Sequence, residues 1–235
     1  MVPAGTTPPE GHPHPTLLSD FILGSQDGLV NVLGILLGLA AAGAGGQIIL
    51  IGAVAALSAE TISMGAVAYT STLSRRSLYM SEVQRELNEM RDLPDAEREE
   101  VRAILRKWGY QTEEVESMLK MIEARPKAWL DIMMAFELNL TEVAPHQPRN
   151  TALVVFGATL TGSVIPLIPF LAHLGTITQE AVVSVVLSGA TLFGIGWYEA
   201  RITLGRIWVN GPRMLLIGLA AGFAGFLAGT LLHAY

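Results

Sequence analysis

The sequence predicts an all-α integral membrane protein: five transmembrane helices with an acidic helical domain inserted between the second and the third. Three observations predict it. Hydrophobic residues make up 51% of the 235 and charged residues only 15%, where a soluble domain carries roughly 25% charged residues. Five apolar stretches each approach or exceed the ~20 helical residues needed to cross a hydrocarbon core. The charges are also segregated, since all 15 Lys and Arg lie between Arg75 and Arg149 or between Arg201 and Arg213.

The predicted spans are Leu17–Ala42, Ile48–Thr70, Thr151–His173, Ala181–Trp197 and Met214–His233. The second is expected to run on as a helix, because Ser71 to Met90 holds no Gly or Pro. Residues 1–16 are rich in Pro, Gly, Thr and His without Lys or Arg. They read as a disordered tail rather than a signal peptide. Residues 17–74 then form spans one and two, 75–148 the inserted domain, and 149–235 the remaining spans.

Orientation follows from the basic residues, which collect in cytoplasmic loops. The short loops at Gly43–Gln47 and Leu174–Glu180 contain no Lys or Arg. Alternating sides therefore places the N-terminus and the inserted domain in the cytoplasm and the C-terminus on the far side. A prokaryotic cell membrane and a vacuolar-type membrane both fit this orientation. The absence of Cys excludes disulfides and thiolate metal sites. The net charge of -6 argues against a nucleic-acid partner.

The inserted domain reads as a three-helix unit. The extension of span two ends near Arg91, before Leu93-Pro94-Asp95. Helical periods then cover Glu97 to Trp108 with Gly109 as its stop, a stretch opened by Thr112 and ended by Pro126, and Ala128 to Leu140. Pro145 and Pro148 form the hinge back to the membrane.

Carboxylates dominate the candidate chemistry, and no nucleophile constellation or nucleotide motif marks an enzyme. Glu86 and Glu89 are three apart, as are Glu97 and Glu100. Helical residues at that spacing share a face, and facing pairs of carboxylates in helical bundles hold iron and manganese. Met133, Met134 and Glu137 lie on or near one face of the last helix, and thioethers soften a site towards transition metals. A solvated acidic face over a Met-containing core stripe explains the same spacing.

Within the spans, Glu60 is the deepest acid, and burying a charge at bilayer centre costs at least ~2.5–3.5 kcal/mol. Met64 follows it by one turn, and Asp27 stands between Gly24 and Gly28 in span one. With no Lys or Arg in the span interiors, the expected partners of Glu60 are a proton, a metal ion or a second copy of Glu60. A protonated Glu60 bonded to a neighbouring helix and an interfacial Asp27 are the simpler alternatives. Glu199 and Arg201 are expected to pair at the end of span four. Pro166 and Pro169 should kink span three.

These residues resemble the vacuolar iron transporter family, from about Ser19 to the C-terminus. The likeness rests on Asp20-Phe21-Ile22-Leu23-Gly24-Ser25-Gln26-Asp27-Gly28-Leu29 and on Ile62-Ser63-Met64-Gly65. It also rests on Ala128-Trp129-Leu130-Asp131 with Met133-Met134 and Phe136-Glu137-Leu138, and on Ile165-Pro166-Leu167-Ile168-Pro169. The resemblance implies a five-span homodimer that exchanges Fe²⁺, and often Mn²⁺, for protons. It implies metal binding by Glu86, Glu89, Glu97, Glu100, Met133, Met134 and Glu137, and a transmembrane pathway through Asp27 and Met64, joined by Glu60. No permanently bound cofactor is implied; Fe²⁺ or Mn²⁺ is the substrate, and other divalent transition ions fit the acidic domain. One departure stands out. The family's second span carries its glutamate two turns before the Met, where this chain has Ala56; its acid is Glu60, one turn nearer. The rival reading is a membrane-anchored metal sensor or partner-binding protein without transport.

Overall fold

A computed structural model describes residues 15–203 and 206–233, with side-chain environments from residue 17. Among these residues all regular structure is helical. The elements are α1 (Pro15–Ala41), α2 (Gly46–Asp92), α3 (Pro94–Lys107), α4 (Thr112–Glu123), α5 (Pro126–Ile132), α6 (Gln147–Leu171), α7 (Ile177–Ile202) and α8 (Ile207–His233). A π-helical turn, Met133–Glu137, continues α5. Residues 1–14 of the expected tail lie outside the described residues; from Pro15 the chain is helical.

Five helices, α1, α2, α6, α7 and α8, are long and apolar enough to cross a membrane. Large apolar side chains on them point outward, among them Ile62 (65% exposed), Leu216 (65%) and Phe223 (64%). A soluble protein rarely shows apolar patches on this scale, whereas lipid accepts them. The chain divides into two compact units: residues up to Tyr69 with Arg149 onward, and Thr70–Pro148. Helix α2, 47 residues long, contributes to both.

In the first unit the core joins Val32 and Leu36 of α1 to Ile49 and Ala53 of α2 and to Leu167 and Phe170 of α6. A second cluster joins Leu29, Leu192 and Met214. Backbone approach is closest where α1 meets α8. A Cβ on Gly225 would collide with the Gly34 carbonyl, and one on Gly229 with the Gly38 carbonyl. Small-xxx-small faces allow this contact in lipid, where packing rather than water drives helix association. The two glycine faces thus satisfy each other within one chain.

Several boundaries differ from expectation. Helix α7 starts four residues before the predicted Ala181, because Thr176 and Gln179 form a capping box that opens the helix outside the apolar stretch. Helix α8 starts at Ile207 and carries Pro212 inside it. Helix α6 runs through both Pro166 and Pro169, and Ser184 of α7 donates a 2.8 Å hydrogen bond to the Pro166 carbonyl. Glu199 pairs with Arg213 at 3.5 Å rather than with Arg201, whose guanidinium lies 5.3 Å from the Trp197 ring centre. Side chains two apart on a helix diverge, which disfavours a pair between residues 199 and 201.

The second unit packs Val101 and Leu105 of α3, Val115 and Leu119 of α4, and Trp129 and Met133 into one core. Arg98 bonds Glu123 at 2.5 Å and Arg102 bonds Glu116 at 2.6 Å, tying α3 to α4. Gly109 stops α3 at φ +95°, a left-handed conformation that suits glycine. Pro126 does not end α4, which stops at Glu123; it opens α5 in the first turn, where its missing N–H costs nothing. Helix α4 opens at Thr112 as expected, behind a capping box made by Gln111 and Glu114. The predicted helix Ala128–Leu140 is shorter at its end, because its last turn opens into the π geometry and stops at Glu137.

Candidate metal centre

The acidic centre lies where the end of α2 faces α3. Glu86 and Glu89 come from adjacent turns of α2, and Glu97 from the first turn of α3. One carboxylate oxygen from each lies within 4.8 Å of the others. The turn at Leu93, with Pro94 at the helix start, reverses the chain and brings Glu97 back over α2. Glu86 is 1% and Glu97 3% exposed. Each keeps one oxygen, Oε2, buried without a hydrogen-bond partner. Buried carboxylate oxygens without donors are costly, and a divalent cation held by these two groups and the half-buried Glu89 would remove that cost.

Glu100 stands one turn along α3 from Glu97, and Glu137 lies at the exposed rim, where the Glu100 charge acts on it. Burial pushes the Glu97 carboxyl up to about 7, aided by the charges of Glu100, Glu86, Glu137 and Glu89. Glu137 is also pushed up to about 7, first by desolvation and then by Glu100 and Glu86. Protons and a dication are therefore alternative ways to relieve one charge cluster.

The π turn places the methionines. Leu138 N–H bonds the Met133 carbonyl at 3.2 Å, a reach of five residues. This wide turn lets two successive residues face inward: Met133 is fully buried and Met134 is 2% exposed. Such π turns concentrate at functional sites. Trp108 closes on Phe136 edge-to-face, with ring centres 4.7 Å apart, fixing the turn against the end of α3. Arg85 is the cation of the cluster, 2.8 Å from Glu82, 3.4 Å from Glu86 and 3.9 Å from Glu89.

In the first unit, Glu60 on α2 borders a cavity of about 810 Å³ between α1, α2 and α8, lined also by Asn31, Gly34, Gly38, Gly225 and Gly229. The simpler alternative for Glu60 included a bond to a neighbouring helix, and one is present: Asn31 of α1 donates through Nδ2 to Glu60 Oε1. The same Nδ2 stands 3.4 Å from Asp27 Oδ1. Asp27 and Glu60 are thus joined through one amide. Met64 is half-buried and is not among the cavity-lining residues. Sequence reasoning passed over Asn31 and Arg85. Asn31 had a signal, since it follows Asp27 by four residues and so shares its helix face; Arg85 had one in its place between Glu82 and Glu89.

Membrane-length helices that carry acids, in a chain that also holds a carboxylate centre, fit an ion transporter, and the comparisons with known proteins agree. The VIT family model matches residues 18–230. Among similar proteins, Vacuolar iron transporter 2 of Oryza sativa subsp. japonica is 32% identical over 210 residues, covering 89% of this chain and 85% of that protein. The Vacuolar iron transporter of Centaurea cyanus is 34% identical over 210 residues, covering 88% and 84%. Protein CCC1 of Saccharomyces cerevisiae is 27% identical over 228 residues, covering 92% and 70%. The chain belongs to the VIT family; it is a membrane transporter and not an enzyme.

Proposed function

We propose that this protein exports Fe²⁺ or Mn²⁺ from the cytoplasm in exchange for protons. The observation that carries the reading is Glu60, a carboxylate within a membrane-length helix, tied through Asn31 to Asp27 beside an open cavity. Such an acid is expensive unless it serves an ion path. The names of the relatives, vacuolar iron transporters, support the choice of metal. In this reading Glu86, Glu89, Glu97, Glu100, Met133, Met134 and Glu137 capture the ion on the cytoplasmic side and deliver it to Asp27, Glu60 and Met64. Carboxylates release protons when they bind metal, and this competition couples the two flows. A homodimer doubles every ligand of the membrane site. The segregation of all 15 basic residues supports a cytoplasmic acidic unit and N-terminus.

The test is uptake of Fe²⁺, Mn²⁺ and Zn²⁺ by sealed proteoliposomes, with and without a pH gradient. Gradient-dependent uptake of Fe²⁺ or Mn²⁺ supports antiport. Metal binding without any uptake would instead establish the anchored sensor.

A further inference from the structure

We infer that Asn31 is a positioning residue of the membrane ion site: its neutral amide holds the Asp27 and Glu60 carboxyl groups together without adding a positive charge. The inference rests on the transport reading for its role, but its geometry stands apart. Nδ2 of Asn31 reaches Glu60 from α1 and stands 3.4 Å from Asp27 on its own helix. An amide nitrogen only donates, so both carboxylates accept from it. Two carboxylates drawn together in a low dielectric repel one another. A shared donor offsets part of that repulsion and fixes their orientation.

The choice of donor has a consequence. A Lys or Arg at residue 31 would hold the acids equally well, but it would cancel the charge that attracts a dication. The amide donates without a formal charge, so the pair remains a cation site. Around it the cavity wall is nearly all apolar, with Gly34, Gly38, Gly225 and Gly229 as neighbours and the Ser63 hydroxyl as the one further polar side chain among the described lining residues. Groups that orient ligands in this way set metal affinity: removing one costs roughly 10–100-fold. A hydrogen bond that served only helix packing would change stability instead.

The test is Mn²⁺ uptake by the full chain in proteoliposomes. Asn31→Leu nearly keeps the volume and removes the donor. It should raise the KM for Mn²⁺ by about tenfold with maximal rate within about twofold. Asn31→Gln, which keeps the amide, should stay within about threefold of the parent KM. A second measurement avoids transport: Mn²⁺ binding to the purified full chain, read from the free-ion spin-resonance signal, with Glu86, Glu89, Glu97, Glu100 and Glu137 all replaced by Ala to remove the acidic centre. There too Asn31→Leu should weaken binding by about tenfold. If the parent chain binds but moves no Mn²⁺, the transport reading fails and the binding comparison still decides for Asn31. An unchanged KM and affinity in Asn31→Leu, or a KM in Asn31→Gln raised as far as in Asn31→Leu, would overturn the inference.

Discussion

Arg85 Nη2 lies 3.4 Å from Glu86 Oε1, while Oε2 of the same carboxylate is buried without a partner. The guanidinium therefore serves one side of the acidic centre and leaves the other for a cation. Arg85 is half exposed and also contacts Glu82 and Glu89, so it partly neutralises the groups that would bind metal.

The first prediction follows from this charge arithmetic. Arg85→Leu should tighten Mn²⁺ binding by the full chain several-fold, because a nearby positive charge is removed. Glu97→Ala with Glu100→Ala should do the opposite, since affinity follows the count of charged ligands. Isothermal titration of the two variants decides it. Equal affinities in both would return this centre to a solvated acidic face.

The second prediction concerns pH. The Glu97 and Glu137 carboxyls are raised from 4.5 to about 7 in the folded protein. Between those values the folded state holds more protons than the unfolded state. Their stabilising contribution is full below about 4.5 and is lost as pH rises through about 7. The metal-free protein should therefore melt lower at pH 8 than at pH 5.5. Added Mn²⁺ should raise the melting temperature more at pH 8, where no proton competes. A melting temperature that climbs with pH in the absence of metal would contradict the assignment.

The third prediction separates the membrane acids from the acidic unit. Glu60→Gln keeps shape and removes titration. It should abolish pH-driven Fe²⁺ uptake while folding remains intact, judged by size-exclusion elution. Met64→Leu should retain uptake and lower the preference for Fe²⁺ over harder ions, because the thioether is the soft ligand. Normal pH-driven uptake by Glu60→Gln would move the path to Asp27.

The fourth prediction concerns the scaffold of the acidic unit. Leu105 is fully buried between Val101, Val115 and Trp129. Leu105→Ala should destabilise this unit by about 2–5 kcal/mol, the usual cost of such a cavity. The five spans should be unaffected. Denaturant titration followed by tryptophan fluorescence, in a chain with Trp197 and Trp208 replaced by Phe so that Trp108 and Trp129 report on this unit, with Mn²⁺ affinity measured alongside, tests whether the core holds the carboxylates in place.

Sequence alone determined the five membrane-length helices, because lipid demands about 20 apolar residues and no tertiary contact alters that requirement. It also marked Glu86, Glu89, Glu97 and Glu60, since spacing along one helix and the cost of a charge in an apolar run are local properties. Tertiary structure alone decided how those residues meet. The link from Asn31 to Glu60 joins α1 to α2, and Glu199 reaches Arg213 on the next helix rather than Arg201 on its own. The face-to-face closure of Gly34 and Gly38 on Gly225 and Gly229 spans nearly the whole chain. The π turn at Met133–Glu137 also needed the packed core, since an isolated helix favours the α register. Such pairings depend on how each helix is rotated and where it crosses its neighbour. That geometry is set by the packing of whole faces, which no single helix carries in its own spacing.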